Sequence, residues 1–332
     1  MDPSETTPGL TRRGCKRLAL AALTLLAAVV VATGVVLHLA NRALREAIAE
    51  ADQLDPGWRF EDLERARAAV PDADNSAPVV MAAMARLPGP VPAPPTAADP
   101  GLEQRLSQVP LPCRPPRDLV EELRRETDRA AAALDLARDL ADRPTGRHPI
   151  TWSKDLIGTL LPHVQKTRDL ARVLSLDARR RALDGDAFGA LRSCTAVLNA
   201  GRSLGDEPTG VSQLVRAACG RIAAQSLEWS LAQTQAPGPA LERLQQALAR
   251  EAEEPLQLRA ARAERVILHQ SLQLVRAGRF DYAGYGIRLP ALDRATFHLP
   301  DRGQAARCQA PYLRYLNRQV EIAKLPPEQQ QA

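Results

Sequence analysis

The chain has 332 residues, of which 45% are hydrophobic and 25% charged, and these proportions exclude a mainly disordered protein. Aromatic residues make up only 3%, whereas strand-rich cores usually draw on aromatic and β-branched side chains, so the composition predicts an all-α fold. The net charge is +5, but arginines alternate with acidic residues instead of forming a basic run or face. That alternation is typical of a solvated surface and argues against nucleic acid as a partner.

An uncharged apolar run covers residues 18–40 and is the strongest signal in the chain. A helix over this run is roughly 34 Å long, enough to cross a bilayer core of about 30 Å. Four basic residues precede the run between positions 12 and 17, and positive charge before a first span keeps that side in the cytoplasm. We therefore predict a single-pass protein whose signal-anchor helix contacts the lipid bilayer, with residues 1–17 as a cytoplasmic tail and the bulk of the chain extracytoplasmic. A signal peptide cleaved at Ala32-Thr33-Gly34 is the alternative.

Two segments of different composition follow the anchor. Residues 41–87 predict membrane-proximal helices, the first of which continues the anchor helix until Asp55-Pro56-Gly57 stops it. Residues 88–116 form a proline-rich insertion that holds ten of the 27 prolines. Because proline fixes φ and lacks a backbone donor, this segment is predicted to be an extended linker.

Residues 117–278 are predicted to form a core of antiparallel αα-hairpins, because apolar stripes at helical spacing alternate with short turns. One long helical segment runs from Lys154 to Leu183, and Pro162 is expected to kink or interrupt it. Residues 279–332 are predicted to contain an aromatic-rich loop, a C-terminal helix and a tail. The aromatic residues there either form a recognition surface or close the end of the helical stack.

Three blocks of the sequence, at positions 55–77, 149–163 and 201–216, carry a family resemblance. The third, which includes Gly201-Arg202-Ser203-Leu204-Gly205-Asp206-Glu207-Pro208, is the most specific. Together the blocks resemble a family of planctomycete membrane-anchored helical proteins with no assigned activity, over roughly residues 55–266. The resemblance implies an exported helical protein, and it carries over no functional residue.

The same third block has the G-x-S-x-G spacing of a nucleophile elbow around Ser203. An elbow needs a strand before the serine and a helix after it. Here a helix precedes the serine and a turn with Pro208 follows, which predicts that Ser203 lies in a helix C-terminal turn capped by Gly205 and is not catalytic. The sequence also lacks a C-x-x-C, H-E-x-x-H, P-loop or G-x-G-x-x-G motif, so neither a metal nor a cofactor is expected.

The best candidate for a binding surface is the loop from Arg147 to Asp155, which gathers an aromatic residue, a histidine and both signs of charge. The alternative is that Trp152 is buried and packs at the start of a helix. The candidate surface residues are Trp152, Asp155, His163, Tyr282 and Tyr285.

Two functions remain open on the sequence. The first is a non-catalytic interaction or scaffold module at the cell envelope with a protein partner, because helical hairpins are present and catalytic motifs are missing. The alternative is an exported enzyme whose site is assembled from distant helices around Trp152, His163 and Tyr282.

Four cysteines lie in the exported part, and two of them, Cys194 and Cys219, stand at similar distances from the turn at Gly205 to Thr209. Both also fall on apolar stripes, so the hairpin is predicted to bring them face to face, as buried thiols or as a disulfide. The remaining pair, Cys113 and Cys308, would be the second bond.

Overall fold

The computed structural model of the chain describes residues 12–89, 100–282 and 291–330. Within these ranges the chain forms helices and no strand, apart from an isolated bridge between Asn75 and Thr145, so the predicted all-α fold is confirmed. The helices are α1 (Arg12–Leu54), α2 (Phe60–Arg65), α3 (Ala77–Met84), α4 (Leu102–Ser107), α5 (Arg117–Arg129), α6 (Ala131–Ala137), α7 (Pro162–Leu183), α8 (Ala187–Arg202), α9 (Gly210–Gln233), α10 (Gly238–Ala252), α11 (Leu256–Ala277) and α12 (Ala291–Ala323), with short 3₁₀ helices at Arg138–Asp142 and Pro327–Gln329.

The chain divides into two compact units. The anchor unit comprises Met1–Pro56 and His269–Asn317. The core unit comprises Gly57–Leu268 and Arg318–Ala332.

In the anchor unit, α1 is continuous, so the predicted extension of the anchor helix past the apolar run is confirmed. Of the helices in the described ranges, α1 alone is long and apolar enough to cross a membrane, and its most apolar stretch is not covered by protein. Beyond that stretch α1 is held by α12, because Asn317 Nδ2 donates to the carbonyl of Ala47 (3.3 Å) and Arg314 pairs with Glu46 (3.2 Å).

In the core unit, α7, α8 and α9 pack against one another, with α3, α5 and α6 against α7 and α10 against α8. Their shared interior consists of aliphatic side chains such as Leu170, Leu174 and Leu198. The turns between α7, α8 and α9 are short, as the hairpin prediction requires. Helix α8 begins at a side-chain cap, where Asp186 accepts a hydrogen bond from the amide of Gly189 (2.8 Å).

The predicted extended linker contains a helix. Helix α4 lies inside residues 88–116, and Leu102 and Leu106 are buried in a cluster with Leu119 and Leu123 of α5. The prolines of this segment stand at or before position 100 and at or after position 110, which leaves nine residues free to form a helical turn. The spacing of the two leucines then gives α4 one apolar side to bury.

The prediction of one helical segment from Lys154 to Leu183 is wrong at its start. Pro162 is the first residue of α7 and does not kink a longer helix. A proline at this position costs the helix no hydrogen bond, because the first helical amide has no partner within the helix. The residue before it is pushed out of the helical region, and Leu161 indeed has φ −121° and ψ 61°.

The predicted contact between Cys194 and Cys219 is also wrong. A Cβ built on Gly201 would come within 2.6 Å of Cys219 Cβ, so Cys219 lies opposite Gly201, seven residues along α8 from Cys194. Seven residues of helix correspond to about 10 Å, too far for a bond. Both thiols are free and buried, and burial raises the pKa of each to about 12.

The register differs because the connection between α8 and α9 is not a symmetric turn. Nine residues of α9 precede Cys219, whereas α8 ends one residue after Gly201. The first turns of α9 therefore extend past the end of α8. The loop that contains Gly146 packs on the end of α8, where a Cβ on Gly146 would approach Ser203 Cα to 2.6 Å.

Two buried carboxylates tie the helices of the core unit together. Asp177 of α7 accepts hydrogen bonds from Arg138 (2.7 Å), Arg181 (3.0 Å) and Ser193 (2.5 Å). Glu251 of α10 accepts hydrogen bonds from Arg202 of α8 and Arg216 of α9, both at 2.7 Å. Although burial acts to raise the pKa of each carboxyl, the hydrogen bonds and charges of the arginines lower it below the ordinary value.

Candidate functional site

The loop from Arg147 to Asp155, which was predicted to carry a binding surface, belongs to the core unit and packs on its other residues. The ring of Trp152 is half-buried and meets that of Phe60 edge to face, with centroids 4.8 Å apart. Asp155 is buried and accepts hydrogen bonds from Ser153 Oγ (2.7 Å) and the amide of Gly158 (3.1 Å). The interpretation of Trp152 as a residue at the start of a helix is wrong, because α7 begins ten residues later.

His163, the third candidate in the core unit, is buried and bound to an acid. Its Nε2 lies 2.9 Å from Glu207 Oε1, and Glu207 is itself fully buried in the connection between α8 and α9. The second oxygen of Glu207 accepts from Ser212 Oγ (2.6 Å), and Ser212 is bonded to Thr209, the N-cap of α9. The contact therefore fastens the start of α7 to the start of α9.

His148 extends this network to Ser203. The rings of His148 and His163 are stacked, with centroids 4.4 Å apart and planes 20° from parallel. His148 Nε2 is 3.2 Å from Ser203 Oγ, which donates its own proton to the carbonyl of Ala200 (2.7 Å). Burial, and then the charges of His163 and Arg67, lower the pKa of His148 to about 3, so its imidazole is neutral at ordinary pH.

This arrangement does not activate a nucleophile. The hydroxyl hydrogen of Ser203 is committed to a backbone carbonyl, so His148 donates to the serine oxygen instead of accepting from it. The acid holds the other histidine, and Ser203 is completely buried. The prediction that Gly205 caps the turn is confirmed, since Gly205 has φ +59° and its Cβ would meet the carbonyl of Gly146 at 2.7 Å. The two glycines of the motif thus allow close packing of backbones.

The two tyrosines of the predicted surface fall in a different part of the chain. Tyr282 contacts Phe280 in the anchor unit, with ring centroids 5.0 Å apart. Tyr285 lies outside the described residues.

The most distinctive cavity in the core unit is lined by arginines, and we call it the arginine cavity. It has a volume of about 340 Å³ and is bounded by α4, α7 and α9. Arg168, Arg172 and Arg179 line it from α7 and Arg221 from α9, while Glu103 of α4 is the acidic member of the lining. The polar and apolar remainder consists of Gln104, Ser107, Ser175, Ala218, Ile222 and Gln225. Four guanidinium groups and one carboxylate give the cavity a formal charge of +3.

Several of these guanidinium nitrogens have no acceptor. Arg168 Nε and both Nε and Nη1 of Arg179 are buried and make no hydrogen bond to any part of the chain that the structure describes. Arg172 Nε lies 3.5 Å from Glu103 Oε2, a long contact for an ion pair. The guanidinium of Arg179 rests over the ring of Trp229 at 5.7 Å. Burial lowers the pKa of Arg179, and the charge of Glu103 offsets this only in part.

The arginine cavity was missed on the sequence, although its pattern is readable there. Residues 168, 172, 175 and 179 follow the i, i+4, i+7, i+11 spacing of one helix face. An arginine stripe normally indicates a solvated surface. Its significance depends on α7 being covered by neighbouring helices on several sides, which the sequence does not reveal.

Within the described ranges, no three His, Cys, Asp or Glu side chains converge as metal ligands would. No protein-family model, curated protein or solved structure matches the chain. The arginine cavity is therefore the candidate functional site of the core unit.

Proposed function

We propose that the protein is a membrane-anchored, non-catalytic interaction module at the cell envelope, and that its core unit binds an anionic ligand in the arginine cavity. The observation that carries the proposal is that four arginines line one cavity, with one carboxylate among the described lining residues. Arginine is the side chain best suited to binding oxyanions, because its planar fork donates paired hydrogen bonds and keeps its charge.

Arg168 and Arg179 have buried nitrogens that lack acceptors among the described residues. A buried donor without a partner costs about 1–3 kcal/mol, and more when it is charged. A protein tolerates such a cost where the group serves a ligand, because a bound anion supplies the missing acceptors. The arginines that hold the buried carboxylates of Asp177 and Glu251 show the contrasting case, in which the chain itself supplies the acceptor.

Support for a non-catalytic role comes from the residues that resembled catalytic ones. These side chains are buried and bonded to one another: His148 to Ser203, and His163 to the acid Glu207. Of the residues in the enzyme alternative, Trp152 packs on Phe60 and His163 binds Glu207 in the core unit, and Tyr282 packs on Phe280 in the anchor unit.

The orientation of the anchor is testable with a reporter that works only in the cytoplasm. Because basic residues precede the apolar run, we expect the reporter to be silent when it is fused after Ala332. The same reporter fused before residue 12 should be active and serves as the control. Activity of the C-terminal fusion would contradict the proposed export of the core unit.

Anion binding is expected to depend on Arg179. The full-length protein in an uncharged detergent would be titrated with phosphate, sulfate, citrate and acetate at constant ionic strength, and binding measured by calorimetry. A charge-assisted hydrogen bond contributes about 1.5–3 kcal/mol, so Arg179→Gln should weaken the best anion about 10- to 100-fold. The matched control is Arg125→Gln, which removes an exposed arginine of α5. Equal affinities of the two variants for every anion would contradict the proposal.

A further inference from the structure

Helices α1 and α12 lie side by side in the anchor unit and run in the same direction. Arg314 pairs with Glu46 (3.2 Å), and Asn317 Nδ2 donates to the carbonyl of Ala47 (3.3 Å), so the partners are 268 and 270 residues apart. Because the two separations are nearly equal, the same register can be followed along both helices. It places the earlier residues of α12 beside the C-terminal part of the apolar run of α1.

Helix α11 runs back along α12 and packs with it on α1. Arg276 donates to Gln309 Oε1 (2.6 Å) and also hydrogen-bonds Asn41 of α1. One residue further along α11, the carbonyl of Ala277 accepts from Arg302, which stands earlier in α12 (3.5 Å). The two helices are therefore antiparallel, and their connection lies toward the apolar run. We call residues 278–282, the described part of this connection, the hairpin tip.

The exposure of α1 shows how far the hairpin reaches. In the middle of the apolar run Leu25 and Leu26 are 68% and 61% exposed, whereas Val36 and Leu37 are 44% and 38% exposed. Ala306, which the register places beside Val36, is buried. The hairpin therefore begins to cover α1 about four residues before the run ends, which corresponds to about 6 Å of helix.

The hairpin tip has the composition of a segment at a membrane interface. Gly278, at φ +65°, ends α11, and the amide of Arg279 donates back to the carbonyl of Leu274 (2.9 Å). This cap satisfies a backbone carbonyl that would find no partner among lipid chains. Phe280 and Tyr282 follow, half-buried and with their rings edge to face, and Arg279 is exposed. Aromatic rings and long basic side chains are the groups that favour the boundary between acyl chains and headgroups.

Building on the membrane-anchored part of the proposed function, we infer that the hairpin tip is a second contact with the bilayer, beside the span of α1. Phe280 and Tyr282 lie among the upper acyl chains, and the exposed Arg279 and Arg302 bind headgroup phosphates. A depth of about 6 Å is that of segments that lie in the interface, about 5–10 Å. The contact fixes the tilt and rotation of α1, because α11 and α12 are packed on one side of it.

The test measures the depth of a tryptophan placed at the hairpin tip. Tyr282→Trp would be reconstituted as the full-length protein into vesicles of phosphatidylcholine and phosphatidylglycerol, with and without acyl chains brominated at carbons 6 and 7, which quench a nearby indole. The signal of the wild type, whose three tryptophans belong to the core unit, is subtracted. We expect brominated lipid to lower the added fluorescence at least about twofold, because an interfacial ring lies close to these carbons.

The matched control is Tyr315→Trp, the same change at an exposed position of α12. The register places Tyr315 beside residue 45 of α1, about 7 Å past the end of the apolar run, so its added fluorescence should fall by less than about a fifth.

Val29→Trp, in the middle of the apolar run, reports on the anchor by itself and should be quenched by lipid brominated at carbons 11 and 12. If it is quenched while Tyr282→Trp is quenched no more than Tyr315→Trp, in variants with wild-type helical content, the inference is wrong and the membrane anchor stands. Should Tyr282→Trp not fold, Phe280→Trp takes its place with the same expectation. If none of these tryptophans is quenched, the anchor itself is wrong, and anion binding in the arginine cavity depends on neither result.

Discussion

Glu251→Gln is expected to lower the free energy of unfolding of the core unit by about 3–5 kcal/mol, the usual cost of removing one partner of a buried ion pair. Glu251 accepts from Arg202 Nε (2.7 Å) and Arg216 Nε (2.7 Å), so two buried guanidinium groups share a single carboxylate. The same arginines donate to the carbonyls of Ala247 (2.7 Å) and Gly205 (2.9 Å). Glutamine keeps the size of the side chain but leaves Arg202 without this carboxylate and Arg216 with only the longer contact to Glu254 (3.6 Å). The contact joins α8, α9 and α10, so its loss acts on three helices at once.

The measurement is a urea titration of the full-length protein in an uncharged detergent. It can be followed by tryptophan fluorescence, because all three tryptophans, Trp58, Trp152 and Trp229, belong to the core unit. Glu253→Gln is the matched control: it makes the same chemical change two residues away, at an exposed position, and should alter the free energy of unfolding by less than about 0.5 kcal/mol. A similar small effect of Glu251→Gln would show that the two arginines do not depend on this carboxylate.

Local signals in the sequence account well for the helices and their order. Apolar spacing and turn residues predicted the hairpin core that α7, α8 and α9 form. Gly205 has the positive φ that the predicted cap at the end of α8 requires. The errors arise where a local rule has two outcomes. Pro162 can kink a helix or begin one, and the proline-rich insertion contains a proline-free stretch long enough for α4.

The features that the sequence could not supply depend on contacts between distant residues. The α8–α9 connection packs closely against Gly146, which lies on Ser203 from a loop more than fifty residues away in the chain. The stacked histidines are fifteen residues apart, and the acid that binds one of them follows 44 residues later. Residues of the arginine cavity come from three helices, and only their packing distinguishes them from surface arginines.

The core unit therefore contains two kinds of buried polar group. The first kind is a carboxylate whose hydrogen-bond partners are side chains of the chain itself, and it joins helices to one another. Its members are Asp177, Glu251 and Glu207. Arg168 and Arg179 have nitrogens that the described chain leaves without acceptors. Because Arg168 and Arg179 also line the arginine cavity, the proposed ligand is assigned to that cavity.

Acid is expected to destabilise the core unit between pH 6.5 and pH 4.5, and His148 is expected to cause most of the loss. The pKa of His148 is lowered to about 3 in the folded protein by burial and by the charges of His163 and Arg67, against an ordinary value of 6.5. Above pH 6.5 the histidine is neutral in the folded and the unfolded chain, so it does not change the free energy of unfolding with pH. Below that pH the unfolded chain binds a proton that the folded chain does not, so stability falls as pH falls, by about 1.4 kcal/mol per unit.

The loss should approach about 2–3 kcal/mol at pH 4.5. The lowered pKa values of Asp177 and Glu251 also make acid destabilising, but those carboxyls take up protons in the unfolded chain only near pH 4 and below, outside most of this window. The check is a series of urea titrations from pH 8 to pH 4.5 on the wild type and on His148→Phe, which keeps a ring against His163 but cannot titrate. The variant should be less stable at pH 8, because Ser203 loses a hydrogen-bond partner, yet its stability should fall less steeply below pH 6.5. Equal slopes for the two proteins would show that the buried imidazole does not govern acid stability.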